Sequence, residues 1–232
     1  MPAAPIELTL GIRPRARFDV VDVRHLAQSL HGDVLDAYPH CLYASFHTTA
    51  GYLDQSLASR LARRRRGVTG YVQAFQTLFP EDAGYRHDVL DERHELTHDA
   101  RQVEPRNADS HLTFMAAGLS TCVTYRNRPQ CPGEFDDLDG MNGDRPRQRT
   151  TTIVGYRQEV EVARLRIDVP VSAHPVDSIN LKDPRLGVYE QLGDLITRQG
   201  VAKGRIQLSL CPRERSAGLT VNEYETLLMQ HD

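Results

Sequence analysis

His40-Cys41-Leu42-Tyr43-Ala44-Ser45-Phe46-His47-Thr48-Thr49-Ala50-Gly51 is the stretch around which the rest of the chain is organised. Its first half, residues 40–45, is a short apolar run with the character of a β-strand. Leu53-Asp54-Gln55-Ser56-Leu57 follows and reads as the opening of a helix. A histidine, two hydroxyls and a glycine therefore sit at a strand-to-helix turn. Backbone N–H groups left open at such a turn can meet an anion, and His47 can add a base or a metal ligand. The plainer reading is that Thr48 and Thr49 cap the helix while His47 bonds locally.

Working outward, Ile6 to Leu10 alternates as a first strand, and Phe18 to Val23 is a second β-favouring run. Leu26, Leu30 and Val34 repeat at helical spacing and predict a helix over 24–35. Leu53, Leu57 and Leu61 predict another, closed by Arg63-Arg64-Arg65-Arg66 and a glycine stop at Gly67. The arginine run reads as a solvated helix end rather than a phosphate or nucleic-acid site. A further helix is expected over about 69–79, and a short one over about 108–117 with Asn107 as N-cap and Gly118 as stop. Leu119 to Tyr125 favours strand, 129–149 reads as loop, and Thr150 to Tyr156 as strand. Beyond it, strands over 159–169 and 206–210, a helix over 184–198 and a final helix from about Asn222 are expected.

The chain has 232 residues, a formal charge of −3 and a pI near 6.4, so nothing global draws it to nucleic acid or to an anionic membrane. No apolar run approaches the roughly 20 residues of a membrane span. The N-terminus lacks a basic region followed by an apolar one, and the four cysteines are scattered. These features point to a cytoplasmic protein with free thiols.

Two groupings of residues can carry chemistry. His94-Glu95-Leu96-Thr97-His98 fits the H-E-x-x-H pattern, which on a helix sets two zinc ligands on one face with a glutamate base beside them. Its charged flanks and missing apolar stripe fit a solvated segment better. The second grouping is His47, His87 and His111 with Asp109 and Asn107, each histidine at the boundary of an element. Converged, they could bind a divalent metal (Mg or Zn), or let one imidazole act as acid or base while hydroxyls and N–H groups hold a phosphate.

His47-Thr48-Thr49-Ala50-Gly51, Gly84-Tyr85-Arg86-His87-Asp88 and Asn107-Ala108-Asp109-Ser110-His111-Leu112, in this order, resemble the three motifs of the YjbQ-like family, the secondary thiamine-phosphate synthases. Glu134-Phe135-Asp136 and Arg145-Pro146-Arg147, with Arg149, are similar to its closing motif, so the resemblance covers about residues 5–156. The chain departs from the family at 125–133, where Gly-Thr-Trp-Gln is absent; it has no tryptophan at all. The resemblance implies an α+β fold, a β-sandwich with helices, usually assembled as a homo-oligomeric trimer. It implies a transferase that joins a hydroxymethylpyrimidine diphosphate to a thiazole phosphate, giving thiamine phosphate and pyrophosphate. Carried over by motif, His47, His87, His111 and Asp109 are the candidate catalytic residues, and the three histidines the candidate metal ligands. Thr48, Thr49, Asn107, Arg86, Arg147 and Arg149 are the candidate partners of a small phosphorylated molecule.

Residues 157–232 look like a partial second copy packed on the first domain, 1–156. Strand, helix and strand lead there to Ser216-Ala217-Gly218-Leu219-Thr220-Val221-Asn222-Glu223, as they lead to Thr49-Ala50-Gly51 earlier. Glu214 stands where His47 would be. Two other functions are open to this sequence: a non-catalytic binding or scaffold protein on the same fold, and a metal-dependent hydrolase using His94 and His98.

Overall fold

The computed structural model describes residues 4–94, 96–128, 133–170 and 179–219. The chain divides into two compact units, 1–159 and 160–232. The first runs β1 (Ile6–Ile12), β2 (Asp19–Asp22), α1 (Val23–His31), β3 (His40–Ser45), β4 (Ala50–Gly51), α2 (Gln55–Leu61), α3 (Gly67–Gln76), α4 (His98–Val103), α5 (Ala108–Ala116), β5 (Cys122–Arg126), β6 (Glu134–Asp137), β7 (Met141–Asn142), β8 (Arg145–Pro146) and β9 (Arg149–Tyr156).

The strands make an antiparallel four-stranded sheet in the order β1-β9-β3-β5, a three-stranded sheet β2-β6-β4, and a small β7-β8 hairpin. Register places Leu8, Ile153, Tyr43 and Val123 in one row across the larger sheet. Because side chains alternate along a strand, that row and its neighbours Leu10, Cys41 and Tyr125 face one way. They share a core with Phe135 and Ala50 of the smaller sheet and with Val23 and Ala27 of α1. Two sheets closing on one core is a sandwich, and the fold is α+β, as the motif resemblance implies. Each of these fully buried large apolar side chains stabilises it by about 1.5–3 kcal/mol. A second core lies among α2, α3 and α5: Leu53, Ala58, Val68, Val72, Phe114, Ala117, Leu119 and Leu138.

Several local expectations are corrected. Thr48 and Thr49 do not cap a helix: the chain bridges back from His47 to Ala50, and α2 begins only at Gln55. Its cap is Asp54, whose carboxylate accepts from the Ser56 amide, so the turn presents no open anion site at that helix end. Gly67, expected as a stop, opens α3 at φ +55°, and the four arginines form an exposed turn. The helix from 23 ends at His31, where Gly32 takes φ +68°, and a 3-10 turn, Val34–Ala37, follows.

Residues 129–149, read as loop, contain β6, β7 and β8. Glu-Phe-Asp-Asp has little strand preference of its own. The ladders offered by β2 and β4 override it, which is why periodicity missed it.

That strand carries an unpartnered carboxyl group into the interior. Asp136 is 1 % exposed, and neither carboxylate oxygen has a hydrogen-bond partner among the described residues. Burial, then the neighbouring Glu134 carboxylate, pushes its pKa well up. The folded state therefore binds a proton that the unfolded chain releases near pH 3.9, and stability falls as pH rises through the folded value. Asp136→Asn is expected to leave stability near pH 4 almost unchanged and to raise it by about 1–3 kcal/mol near pH 8. Denaturant titrations of both proteins at the two pH values test this, and a difference independent of pH would contradict it.

In the second unit, a 3-10 turn, Pro184–Leu186, leads into α6 (Val188–Gln199), close to the helix expected over 184–198. The strands expected at 159–169 and 206–210 are absent. Both segments alternate apolar and polar residues, but among the described residues no ladder pairs them, and Val160, Val162, Ile206 and Leu208 are exposed. Alternation makes a segment competent for pairing; a strand also needs a neighbour. Thr220 to Glu223 and the helix expected from Asn222 lie outside the described residues.

Candidate functional site

Asn107 has the type and position of an N-cap, yet its side chain does not cap α5. Its amide donates instead to Asp139 Oδ2 at 2.7 Å. The first amide of α5, on Ala108, is taken by Asp88 Oδ1 at 3.1 Å, from a 3-10 turn twenty residues earlier. The same Asp88 oxygen accepts from His87 Nδ1 at 2.9 Å. One carboxylate thus ties the second motif to the third and orients His87. Arg93 Nη1, paired with Glu104, lies 3.4 Å from His87 Nε2. The tautomer with the proton on Nδ1 satisfies both contacts. His111, one helical turn into α5, brings its ring to 5.0 Å from that of His87. Both imidazoles are buried.

Asp139 is the second junction. It accepts from Asn107 and lies 3.1 Å from Arg147 Nη2 and 4.0 Å from Arg149 Nη2. Burial pushes its pKa up; Asn107 and the arginines Arg147, Arg149 and Arg17 oppose that. Arg149, at the start of β9, is fully buried in a two-point pair with Asp137 at 2.8 and 2.9 Å, donates to the Asp139 carbonyl at 2.6 Å and reaches Thr49 Oγ1 at 3.4 Å. Arg147 differs. Its Nε and Nη2 are buried without a hydrogen-bond partner among the described residues, because the Asp139 contact is close but poorly aligned.

His47 accepts from the Thr150 amide through Nε2 at 3.0 Å. Burial, then the charges of Arg149 and Arg147, pushes its pKa down against the pull of Asp137, so it is neutral at physiological pH. The first motif thereby joins the Arg147–Arg149 cluster, and the third motif reaches the same cluster through Asn107 and Asp139.

Not every predicted residue takes part in this way. Thr48 and Arg86 are exposed. Asp109 is committed to an ion pair with Arg17 at 2.6 Å, which continues to Glu81. Asp88, Asp137, Asp139 and Arg93 belong to the arrangement and were not singled out from sequence. Only Asp88 carried a signal there, since it directly follows the motif histidine.

Among the described residues, no group of three or more His, Cys, Asp or Glu side chains is arranged to hold a metal ion. His87 and His111 lie ring to ring, while His47 is held separately by the Thr150 amide. The His94/His98 pair does not form the expected site. His94 lies in a turn, Glu95 is outside the described residues, and His98 is the first residue of α4, so no single helix presents both imidazoles on one face.

No family model matches the sequence, and no curated protein does. Solved structures do. A YbjQ-like protein of unknown function from Sulfolobus solfataricus P2 is 15% identical, matched over 67% of this chain and 99% of its own, with a TM-score of 0.46. A hypothetical protein from Aeropyrum pernix K1 is 15% identical over 66% and 99%, with a TM-score of 0.44. An uncharacterized conserved protein of the YjbQ/UPF0047 family from Clostridium acetobutylicum is 14% identical over 63% and 97%, with a TM-score of 0.38. Over about two thirds of its length the chain is similar in fold to proteins described as YbjQ-like or of the YjbQ/UPF0047 family. No helix among the described residues is long and apolar enough to cross a membrane.

Proposed function

We propose that the cluster of His47, Asn107, Asp139 and Arg147 holds a small phosphorylated molecule, with the His87–Asp88 pair, beside His111, as its proton carrier. The observation that carries this reading is Arg147. A guanidinium with two buried, unfilled donors is an unusual thing to leave inside a protein, and oxyanions of a phosphate or diphosphate are the groups that match it. Arg149 cannot serve equally, since Asp137, the Asp139 carbonyl and Thr49 already take its donors. His47 and Arg147 are half-buried and give the cluster its route to solvent, while His87 and His111 lie deeper.

The motif resemblance supplies the finer reading, a transfer in which diphosphate leaves a pyrimidine as a thiazole phosphate joins it. In that reaction Arg147 would receive the charge that develops on the departing diphosphate. His87, oriented by Asp88, would give or take the proton. Asp88 supports this role better than Asp109, whose carboxylate is spent on Arg17.

Calorimetric titration with inorganic pyrophosphate tests the binding. Wild-type protein is expected to bind it, and Arg147→Ala to weaken binding at least tenfold, the loss of about 1.4 kcal/mol expected for charge-assisted bonds. No binding by the wild type would overturn the proposal. Supplying both phosphorylated precursors with Mg²⁺ tests the transfer. Pyrophosphate binding without thiamine phosphate would assign the site to a non-catalytic binding protein.

A further inference from the structure

A second site lies at the other end of the same strands. His40 opens β3, and in register beside it stand Arg126, the last residue of β5, and Tyr156, the last residue of β9. His47, by contrast, follows the far end of β3, and Arg149 begins β9. Seven residues of extended chain separate the two ends, about 23 Å.

At this end a groove of about 480 Å³ is lined by His40, Gln55, Thr124, Arg126, Tyr156 and Arg157, with Gln158 and Glu159 at its close. That volume is in the range of small-molecule sites. Three features give it chemical character. His40 and Tyr156 stack, with ring centroids 5.5 Å apart and planes 22° from parallel, and Glu159 accepts from the Tyr156 hydroxyl at 3.2 Å. A planar face is thus held in place beside the groove. Gln55 bonds both ways to the Arg126 backbone, its amide donating to the carbonyl and its oxygen accepting from the N–H, each at 2.8 Å. It fills the place of the next strand and forms a fixed wall. Finally, Arg126 and Arg157 are exposed, and among the described residues neither side chain pairs with a carboxylate. Elsewhere in this unit Arg15, Arg17, Arg24, Arg93, Arg147 and Arg149 each have an acidic partner. Arg126 and Arg157 differ from these in facing one groove together.

We infer that this groove binds a phosphate-bearing aromatic heterocycle of the nucleoside monophosphate class, with its phosphate on Arg126 and Arg157 and its ring against the Tyr156–His40 stack. Guanidinium forks match phosphate oxygens, and a base ring finds a face of its own kind. The amide of Gln158 and the carboxylate of Glu159 meet the polar edge of the base, the carboxylate as acceptor for an exocyclic amino group. This site stands apart from the Arg147 cluster and does not depend on it.

Calorimetry with adenosine 5′-monophosphate tests it on the whole chain. Wild-type protein is expected to bind AMP at least tenfold more tightly than adenosine or inorganic phosphate alone, because ring and phosphate are held together. Arg126→Ala/Arg157→Ala is expected to weaken AMP at least tenfold with an unchanged melting temperature, as both side chains are exposed. Tyr156→Ala should weaken AMP but not inorganic phosphate. The double substitution should leave pyrophosphate bound at the Arg147 cluster, which separates the two sites. No AMP binding at millimolar concentration, AMP binding indifferent to the double substitution, or loss of pyrophosphate binding in the double variant would overturn the inference. So would a short single-stranded oligonucleotide that binds far more tightly than AMP with a steep salt dependence, since the surface would then be one for nucleic acid.

Discussion

Replacing Arg149 by alanine is expected to lower folding stability by about 3–5 kcal/mol, the range for breaking a buried ion pair. The guanidinium side chain is 6% exposed and the Asp137 side chain 0%, and the two meet through parallel bonds of 2.8 and 2.9 Å. Truncation leaves the Asp137 carboxylate buried and unpaired at the edge where β6 meets β4. It also removes the donor from the Asp139 carbonyl and from Thr49 Oγ1. Arg149→Lys should recover only part of the loss, because an ammonium cannot make the two-point pair. Arg149→Met with Asp137→Asn should be markedly more stable than Arg149→Ala, since no charge is then stranded. Urea titrations of the three variants decide this; a cost below about 1 kcal/mol for Arg149→Ala would show that the pair does not hold the two sheets' edges as described.

Under the transfer proposed above, replacing His87 by alanine is expected to lower the rate by about 10²–10⁴-fold, the usual contribution of a positioned acid or base. Because His87 is buried, stability is measured alongside, and His87→Gln keeps most of the volume. Asp88→Asn supplies the readout that a structural role would not move. It still can accept from the Ala108 amide that opens α5, but it no longer offers the His87 N–H a carboxylate. The rate should therefore fall, with pyrophosphate binding kept, while the melting temperature changes little. A His87→Ala protein that keeps more than a third of the wild-type rate would remove His87 from the chemistry.

The repetitive elements were legible in the sequence to a good approximation. β1, β3 and β9 alternate, and α5 ends at a glycine of positive φ; α1 forms where its spacing predicts, although it buries Val23 and Ala27 and leaves Leu30 exposed. These patterns are local, and local periodicity reports which face of an element can be buried. The three motifs could likewise be read as a set. Their joints could not. Asn107 looked like a helix cap because Asn is a good one, and only the approach of Asp139, 32 residues away, draws its amide elsewhere. Asp88 looked like a spectator until α5 came to rest on it. Nor could spacing tell that His87 and His111 lie ring to ring while His47 is held by the Thr150 amide, 103 residues along the chain.

His47-Thr48-Thr49-Ala50-Gly51 shows the division most plainly. By itself the sequence determined that a strand precedes it, that a helix follows and that an imidazole stands at the junction. Those properties depend on neighbours a few residues away. Tertiary structure alone decided that Thr49 turns inward to Arg149, that His47 stays neutral beside two arginines, and that a strand of four residues, three of them acidic, completes the sheet at Ala50 and Gly51. Each of these rests on a partner from a distant part of the chain, whose charge and hydrogen-bonding groups arrive only when the two sheets close.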